Sequence, residues 1–170
     1  IWVFKFVEDI EVNKQKKEYL KNTKLFSVIE KFVKKKNFIL YGGFALNLIL
    51  PESYKFYKEY TLADIDCYSY DAKNDAILIA NILKKKKYSM IKVKLAKHEN
   101  TYKVFVGSTS VLDITHLDKN LYNIIIKIHN YEKYNGLLKY YNDNYYIVPL
   151  YLLKRNMHYE LSRPEGSYFR

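Results

Sequence analysis

The chain has 170 residues, 49% of them apolar, and its 29 lysines and arginines against 18 aspartates and glutamates give a net charge of +11. That length and apolar content exclude a disordered chain and suit a domain with a buried core. The single cysteine, Cys67, excludes a disulfide framework and a cysteine-built zinc site. No run of about 18 uncharged apolar residues exists, so no membrane-spanning helix is predicted.

The excess of positive charge has two interpretations. Arginine is rare and lysine, asparagine, isoleucine and tyrosine are abundant, which indicates an A/T-rich genome such as those of large DNA viruses, some protists and some bacteria. The same charge would attract a polyanion such as nucleic acid. Because the chain starts at Ile1 without a methionine or a signal-peptide pattern, we expect it to be part of a longer protein.

The first half of the chain is predicted to alternate helices and strands. From about Asn13 to Lys36, apolar residues recur near helical spacing and predict one or two helices. The elements that follow are a buried strand over Phe38–Tyr41 that turns at Gly42-Gly43, a helix over Phe44–Leu50 that stops at Pro51, a loop over 52–61 and an alternating strand over Asp64–Tyr68.

The second half adds more strands and two helices. An amphipathic helix is predicted over Asp75–Lys86, followed by strands over 89–95 and 102–106. A turn at Gly107-Ser108-Thr109 then leads into a returning strand over Ser110–His116. The last predicted elements are a hairpin that joins Leu138–Tyr140 to Tyr145–Val148 through Asn142-Asp143-Asn144, and a helix over about Leu150–Leu161. Pro149 suits the first turn of that last helix. This order predicts a mixed α/β (α+β) fold, a central sheet flanked by helices. We expect residues 1–36 to form an N-terminal helical segment and residues 37–170 to form the main domain.

Two glycines occupy the junction between a buried strand and a helix. Glycine lets the backbone turn sharply and approach a ligand closely. The free N–H groups at the start of the following helix form a site suited to phosphate. Gly42 and Gly43 are therefore candidates for nucleotide binding.

Three aspartates provide candidate metal ligands. Asp64 and Asp66 are two residues apart on a predicted strand, so both carboxylates project from one face. Asp113 lies between Leu112 and Ile114 on a later strand, and pairing of the two strands would bring all three carboxylates together. Neighbouring carboxylates repel unless a cation offsets their charge, and oxygen ligands suit Mg²⁺ that completes its coordination with substrate phosphates. A pair of such ions can activate a hydroxyl and stabilise a leaving pyrophosphate.

These features resemble the nucleotidyltransferase superfamily that includes DNA polymerase β and the poly(A) polymerases. The matching residues are Tyr41-Gly42-Gly43, Asp64-Ile65-Asp66 and Leu112-Asp113-Ile114, although the spacer from Gly43 to Asp64 is longer than in compact members. The resemblance implies the nucleotidyltransferase fold and places the catalytic domain over residues 37–170.

A narrower resemblance is to the catalytic subunit of poly(A) polymerase from giant (nucleocytoplasmic large) DNA viruses, over about residues 38–170. The segments that carry it are Tyr41–Asn47, Leu50-Pro51, Phe56-Tyr57, Asp64–Ser69, His98–Phe105, Asp113-Ile114-Thr115 and Glu160–Pro164. The sequence departs from that pattern at Asn100, where a glycine is expected, and at Leu112, where a small residue is expected. In such enzymes a further, C-terminal domain follows, so we expect this chain to lack part of the enzyme.

The resemblance implies an enzyme that transfers AMP from ATP to the 3′-hydroxyl of RNA with Mg²⁺ or Mn²⁺. Asp64 and Asp66 would hold both ions, and Asp113 would help hold the ion that activates the hydroxyl. Gly42 and Gly43 would hold the triphosphate, and Lys103 is a candidate phosphate ligand. The implied partners are RNA, ATP and either a processivity subunit or a second copy, without a membrane, in the virion or in the virus factory of the host cytoplasm.

Two other functions stay open from the sequence. A toxin-type or tRNA-end-modifying nucleotidyltransferase would share the Gly-Gly and Asp-x-Asp features but use another substrate. An inactive RNA-binding subunit would keep the fold without the reaction, although the three aspartates argue against loss of the site. On the last helix, Lys154 and Arg155 are candidates for facing nucleotide or RNA, and tyrosines over 138–151 could stack on bases.

Overall fold

The computed structural model of the chain describes residues 2–57, 63–97, 99–141 and 144–162. The helices are α1 (Trp2–Lys35), α2 (Gly42–Ile49), α3 (Ala72–Lys85), α4 (Lys119–Tyr134) and α5 (Leu150–Ser162), with a short 3-10 turn at Glu52–Tyr54. The strands are β1 (Ile39–Tyr41), β2 (Asp66–Ser69), β3 (Ile91–Leu95), β4 (Thr101–Val106), β5 (Thr109–His116) and β6 (Tyr146–Ile147). None of the helices in this described part is long and apolar enough to cross a membrane.

The six strands form one mixed sheet in the order β3-β4-β5-β2-β1-β6. The neighbouring pairs β3–β4, β4–β5 and β1–β2 are antiparallel, whereas β2–β5 and β1–β6 are parallel. The parallel pairs are joined through the helices, because a parallel pair needs a long crossover connection. The central strands β5, β2 and β1 are therefore fixed by contacts that are distant in sequence.

One face of the sheet is buried throughout its centre. Leu40, Cys67 and Ile114 lie at paired positions of β1, β2 and β5, and Leu112 of β5 pairs with Val104 of β4. All five residues are almost completely buried. Two helices contribute buried residues to the same core, at the spacing of one helix face. These residues are Leu25, Ile29, Phe32 and Val33 of α1 and Ala72, Ala76, Ile79 and Leu83 of α3. The C-terminal half of α1 thus belongs to the same core as the sheet.

The predicted mixed α/β fold is confirmed, with small differences at the ends of elements. The N-terminal prediction becomes one continuous helix, α1, and α2 begins at Gly42 rather than at Phe44. The strand predicted from Asp64 begins at Asp66. Residues 58–61 of the predicted loop, His98, Asn142-Asp143 and Arg163-Pro164 lie outside the described residues.

Two predictions for the second half of the chain were incomplete or wrong. No element was predicted over α4, because its isoleucines, tyrosines and asparagines are weak helix formers. The helix is nevertheless started by Asp118, whose Oδ1 accepts hydrogen bonds from the backbone N–H groups of Asn120 (2.8 Å) and Leu121 (3.2 Å).

The prediction of a second hairpin was wrong, because β6 pairs in parallel with β1 instead of with residues 138–140.

A buried carboxylate joins α1, β2 and α3. Asp75, in the first turn of α3, is 3% exposed. It accepts a hydrogen bond from the Ser69 hydroxyl (2.5 Å) and forms an ion pair with the Lys36 ammonium (2.7 Å). The hydrogen bond to Asp75 raises the pKa of Lys36, so this ammonium stays charged around neutral pH. This pair fixes the end of α1 against the start of α3.

We expect Asp75→Asn to destabilise the fold by about 2 kcal/mol. Removing one charge of a fully buried pair costs about 3–5 kcal/mol, and the partial exposure of Lys36 reduces that figure. The matched control is Glu52→Gln, which breaks the exposed Lys55–Glu52 pair of the same 2.7 Å length and should cost less than about 0.5 kcal/mol. Urea unfolding followed by circular dichroism measures both, and equal losses would contradict the structural role of Asp75.

A buried histidine connects α4 to the edge strand β6. His129 is 2% exposed, and its Nδ1 accepts a hydrogen bond from the backbone N–H of Ile147 (3.3 Å). Burial, together with the nearby charge of Lys133, lowers the pKa of His129 to about 4. The native protein therefore holds this imidazole neutral at pH values at which the unfolded chain would protonate it.

Stability should consequently decrease as the pH falls from about 6.5 to about 4. In that window the unfolded state binds a proton at His129 and the native state does not, which costs up to about 3 kcal/mol. The free energy of unfolding of the wild type and of His129→Gln, measured across this window, isolates the effect. The difference between the two proteins should change with pH, and a constant difference would contradict the assignment.

Candidate active site

A row of polar side chains crosses one face of the sheet. In register, Tyr41 of β1 pairs with Asp66 of β2, Asp66 with Asp113 of β5, Asp113 with Lys103 of β4, and Lys103 with Lys94 of β3. Residues that are directly opposite on neighbouring strands project from the same face. The structure therefore brings together Asp66, Asp113 and Lys103, which the sequence places far apart.

Asp113 is held on both carboxylate oxygens. Its Oδ2 accepts a short hydrogen bond from the Lys103 ammonium, which also makes this an ion pair, and its Oδ1 accepts one from the Ser110 hydroxyl (3.0 Å). The carboxylate is largely buried, whereas Lys103 is more than a third exposed. Asp113 and its neighbour Asp66 place two negative charges side by side. The Lys103 ammonium offsets this negative charge, as a bound cation would.

Gly42 is required by a close approach to Asp66. Its φ is +70°, a left-handed conformation that side chains disfavour, and it forms the first residue of α2. A Cβ added to Gly42 would lie 2.7 Å from Oδ2 of Asp66. Gly42 of the predicted glycine pair thus lies directly against Asp66, whose carboxylate occupies the space that the missing side chain leaves.

Hydroxyl groups extend the polar face beside the aspartates. The Tyr41 hydroxyl is 2.8 Å from Oγ1 of Thr115, which is 2.9 Å from Oγ1 of Thr101. The Tyr41 ring stacks on Tyr68 with ring centroids 4.2 Å apart. Burial raises the pKa of Tyr41 well above its ordinary value, with the hydrogen bond to Thr115 opposing the rise and the charge of Asp66 adding to it. Tyr41 is therefore a neutral hydrogen-bonding group at the edge of the site.

Asp64 precedes β2 and is exposed to solvent. Exposure alternates along residues 64–69, and Ile65 is 2% exposed with its carbonyl accepting the backbone N–H of Asp113 (2.9 Å). The alternation agrees with Asp64 and Asp66 facing the same side. Among the described residues, however, no group of three or more His, Cys, Asp or Glu side chains is arranged to hold a metal ion. The metal-ligand role of Asp64 stays a prediction.

Several hydrogen-bonding residues of this face were not predicted from the sequence. Ser110, Thr115 and Thr101 were not proposed as site residues, although Thr115 lies two positions after Asp113 and so projects from the same face of the strand. Lys103 was proposed as a phosphate ligand, and the structure places it across from Asp113. Its contact with phosphate stays a prediction.

The mixed sheet flanked by helices, with Asp66 and Asp113 beside the turn at Gly42, has the architecture of a nucleotidyltransferase-type fold. The crystal structure of the Megavirus polyadenylate synthase has the same fold, with a TM-score of 0.75, 23% sequence identity and 99% of this chain covered. The predicted fold class is thus confirmed.

Sequence comparisons then identify the family. The sequence model of the family described as poly(A) polymerase catalytic subunit matches residues 27–167, which is most of the chain. A protein of Acanthamoeba polyphaga mimivirus, provisionally named a poly(A) polymerase catalytic subunit, is 35% identical over 95 residues, or 54% of this chain. A protein of African swine fever virus (strain Badajoz 1971 Vero-adapted) with the same provisional name is 31% identical over 99 residues, or 58% of this chain.

The chain belongs to the poly(A) polymerase catalytic subunit family, so the resemblance inferred from its motifs is confirmed. It spans only part of the proteins that it matches. The aligned region is 16% of the mimivirus protein, 21% of the African swine fever virus protein and 34% of the Megavirus chain.

Substituting Gly42 tests the close approach to Asp66. Gly42→Ala and Gly136→Ala both place a side chain at a φ near +70°, so each should cost about 1–2 kcal/mol of stability. Only Gly42→Ala should also displace Asp66, because a Cβ at Gly136 meets no atom within 4 Å. The carboxyl ¹³C resonance of Asp66 should shift in the first variant and stay unchanged in the second. An unchanged resonance in both would contradict the contact.

Proposed function

We propose that this chain carries the active site of an RNA 3′-end adenylyltransferase that adds AMP from ATP without a template. Membership of the poly(A) polymerase catalytic subunit family supports the reaction class. The observation that carries the proposal is the in-register placement of Asp66 and Asp113 on one face of the sheet, next to the turn at Gly42. Carboxylates beside a phosphate-binding helix start are what transfer of a nucleotidyl group requires.

The start of α2 provides the site for the triphosphate. The N-cap residue Tyr41 makes no side-chain capping hydrogen bond, and the first turn contains no acidic residue. The first N–H groups have no acceptor within the helix itself, and they carry the positive end of the helix dipole. Gly42 and Gly43 have no side chains that would keep a phosphate away from those groups.

The acidic pair suits Mg²⁺ or Mn²⁺. Carboxylate oxygens are the ligands that these ions prefer, and the Lys103 ammonium at Asp113 shows that this position already accommodates a positive charge. Asp64, Asp66 and Asp113 would hold a pair of ions. Bound there, divalent ions favour deprotonation of the RNA 3′-hydroxyl and neutralise the charge that develops on the leaving pyrophosphate.

Lys103 has a second role in this proposal. In the structure its ammonium neutralises Asp113. With a divalent ion held by the aspartates, this neutralisation would no longer depend on Lys103. Its flexible side chain, already more than a third exposed, would then be available to donate to a phosphate oxygen of ATP. Ser110 keeps the Asp113 carboxylate oriented through its hydrogen bond to Oδ1.

Partners and location follow from the same proposal. Because the relatives are named catalytic subunits, we propose that the protein acts together with a second, processivity subunit. The alternative is a homodimer formed with a second copy of the chain. RNA and ATP are the substrates. The site of action is the virion or the virus factory in the host cytoplasm.

A primer-extension assay on the full-length protein tests the proposal. A labelled RNA is incubated with Mg²⁺ or Mn²⁺ and with each nucleoside triphosphate separately. We expect long ladders with ATP. Asp66→Asn and Asp113→Asn should each reduce extension by roughly 100-fold or more, because metal-based charge stabilisation is worth several kcal/mol.

The matched control for both variants is Glu99→Gln. It makes the same carboxylate-to-amide change on an exposed residue of the turn between β3 and β4, so extension should be unaffected. Addition of single nucleotides would favour a tRNA-end or toxin-type enzyme instead. Full activity of the Asp66→Asn and Asp113→Asn variants would contradict the assigned site.

A further inference from the structure

One face of α5 is exposed and aromatic. The residues at i, i+3, i+4, i+7, i+8 and i+11 along the helix are all exposed to solvent, and we call this set the α5 face. Its members are Tyr151, Lys154, Arg155, His158, Tyr159 and Ser162. The tyrosines are 61% and 59% exposed, although tyrosine rings usually bury part of their apolar area.

The α5 face forms a shallow groove of about 510 Å³. Tyr151 and Tyr159 are two helical turns apart, and Arg155 lies between them. Every charged side chain that lines the groove in the described part of the chain is basic, in a protein whose net charge is +11. Rings that alternate with cations are the pattern by which single-stranded nucleic acid is bound, because bases stack on the rings and phosphates pair with the cations.

The groove is connected to the candidate active site. α5 packs against α2, the helix that starts at Gly42. The first residue of α2, Gly42, in turn lies against the Asp66 carboxylate. A strand bound along α5 would therefore lie beside the helix that carries the glycine turn of the candidate active site.

We propose that the α5 face binds single-stranded RNA and directs its 3′ end toward Asp66 and Asp113. This inference rests on the proposed function, since it names the surface that holds the substrate of the same site. Tyr151 and Tyr159 stack on bases. Lys154 and Arg155 contact phosphates of the backbone. Because every base offers a ring face, this mode of binding tolerates any sequence, as an enzyme that extends different RNA ends requires.

Binding is measured by fluorescence anisotropy with a short, unstructured RNA, without nucleotide, on the full-length protein. Tyr151→Ala/Tyr159→Ala should weaken binding by roughly 10-fold or more, from the loss of stacking. Lys154→Ala/Arg155→Ala should weaken it and reduce the slope of log affinity against log salt by about 1.4, because two phosphate contacts are lost.

Two double variants elsewhere on the surface are the matched controls. Lys84→Ala/Lys85→Ala removes the same charge from the end of α3 and should leave the salt slope close to that of the wild type. Tyr131→Ala/Tyr134→Ala removes two exposed rings from α4 and should leave the affinity unchanged. Losses in the controls as large as those in the α5 variants would show a general charge or ring effect and overturn the proposal.

Other outcomes separate this inference from the proposed function. If the wild type extends RNA and the α5 variants bind RNA as tightly as it does, the inference fails while the function stands. If RNA binding depends on the α5 face but no nucleotide is added, the function fails and the inference stands. If Tyr151 and Tyr159 of the full-length protein are shielded from a tyrosine-modifying reagent in the absence of RNA, a polypeptide surface covers this face and the inference is wrong.

Discussion

The site depends on holding two like charges at neighbouring positions of a parallel strand pair. Asp66 and Asp113 are directly in register, an arrangement that their mutual repulsion disfavours. The register cannot slip to relieve it, because a shift by one residue would move Leu112 and Ile114, which are almost fully buried, to the polar face. The hydrophobic core therefore sets the register, and the register sets the site.

The remaining parts of the fold support this arrangement. Lys103 neutralises Asp113 from the next strand, and Gly42 leaves space for the Asp66 carboxylate from the other side. The core beneath the sheet comes from α1 and α3, whose ends are joined by the pair between Lys36 and Asp75. The Lys103–Asp113 contact lies within the hairpin of β4 and β5, whereas the contacts of Gly42 with Asp66 and of Lys36 with Asp75 join segments that are distant in sequence. The polar face is therefore fixed by one local hairpin together with tertiary contacts.

Much of this was predictable because strong local signals coincide with the site. The strand that ends at Gly42-Gly43 and the alternation around Asp64 to Asp66 are visible in the sequence, and their order indicates the superfamily. The contact of Lys103 with Asp113 depends on the register in which β4 pairs with β5, so the sequence alone did not predict it. The helix α4 was missed because its isoleucines and tyrosines favour strands by intrinsic preference, and only the Asp118 cap and the apolar spacing of Tyr122, Ile125 and His129 reveal it. The pairing of β6 with β1 is non-local and left no pattern between residues 138 and 148.

The parallel pairing of β2 with β5 also bears on the order in which the chain folds. The hairpin of β4 and β5 joins neighbours in sequence through Gly107, so it can form early and carries Asp113 with Lys103 already beside it. Asp66 can join them only when the long connection between β2 and β5 has closed. During synthesis the two carboxylates therefore stay apart until β5 has emerged. Because closing that connection costs more entropy than closing the hairpin, we expect the repulsion between them to arise after the hairpin has formed.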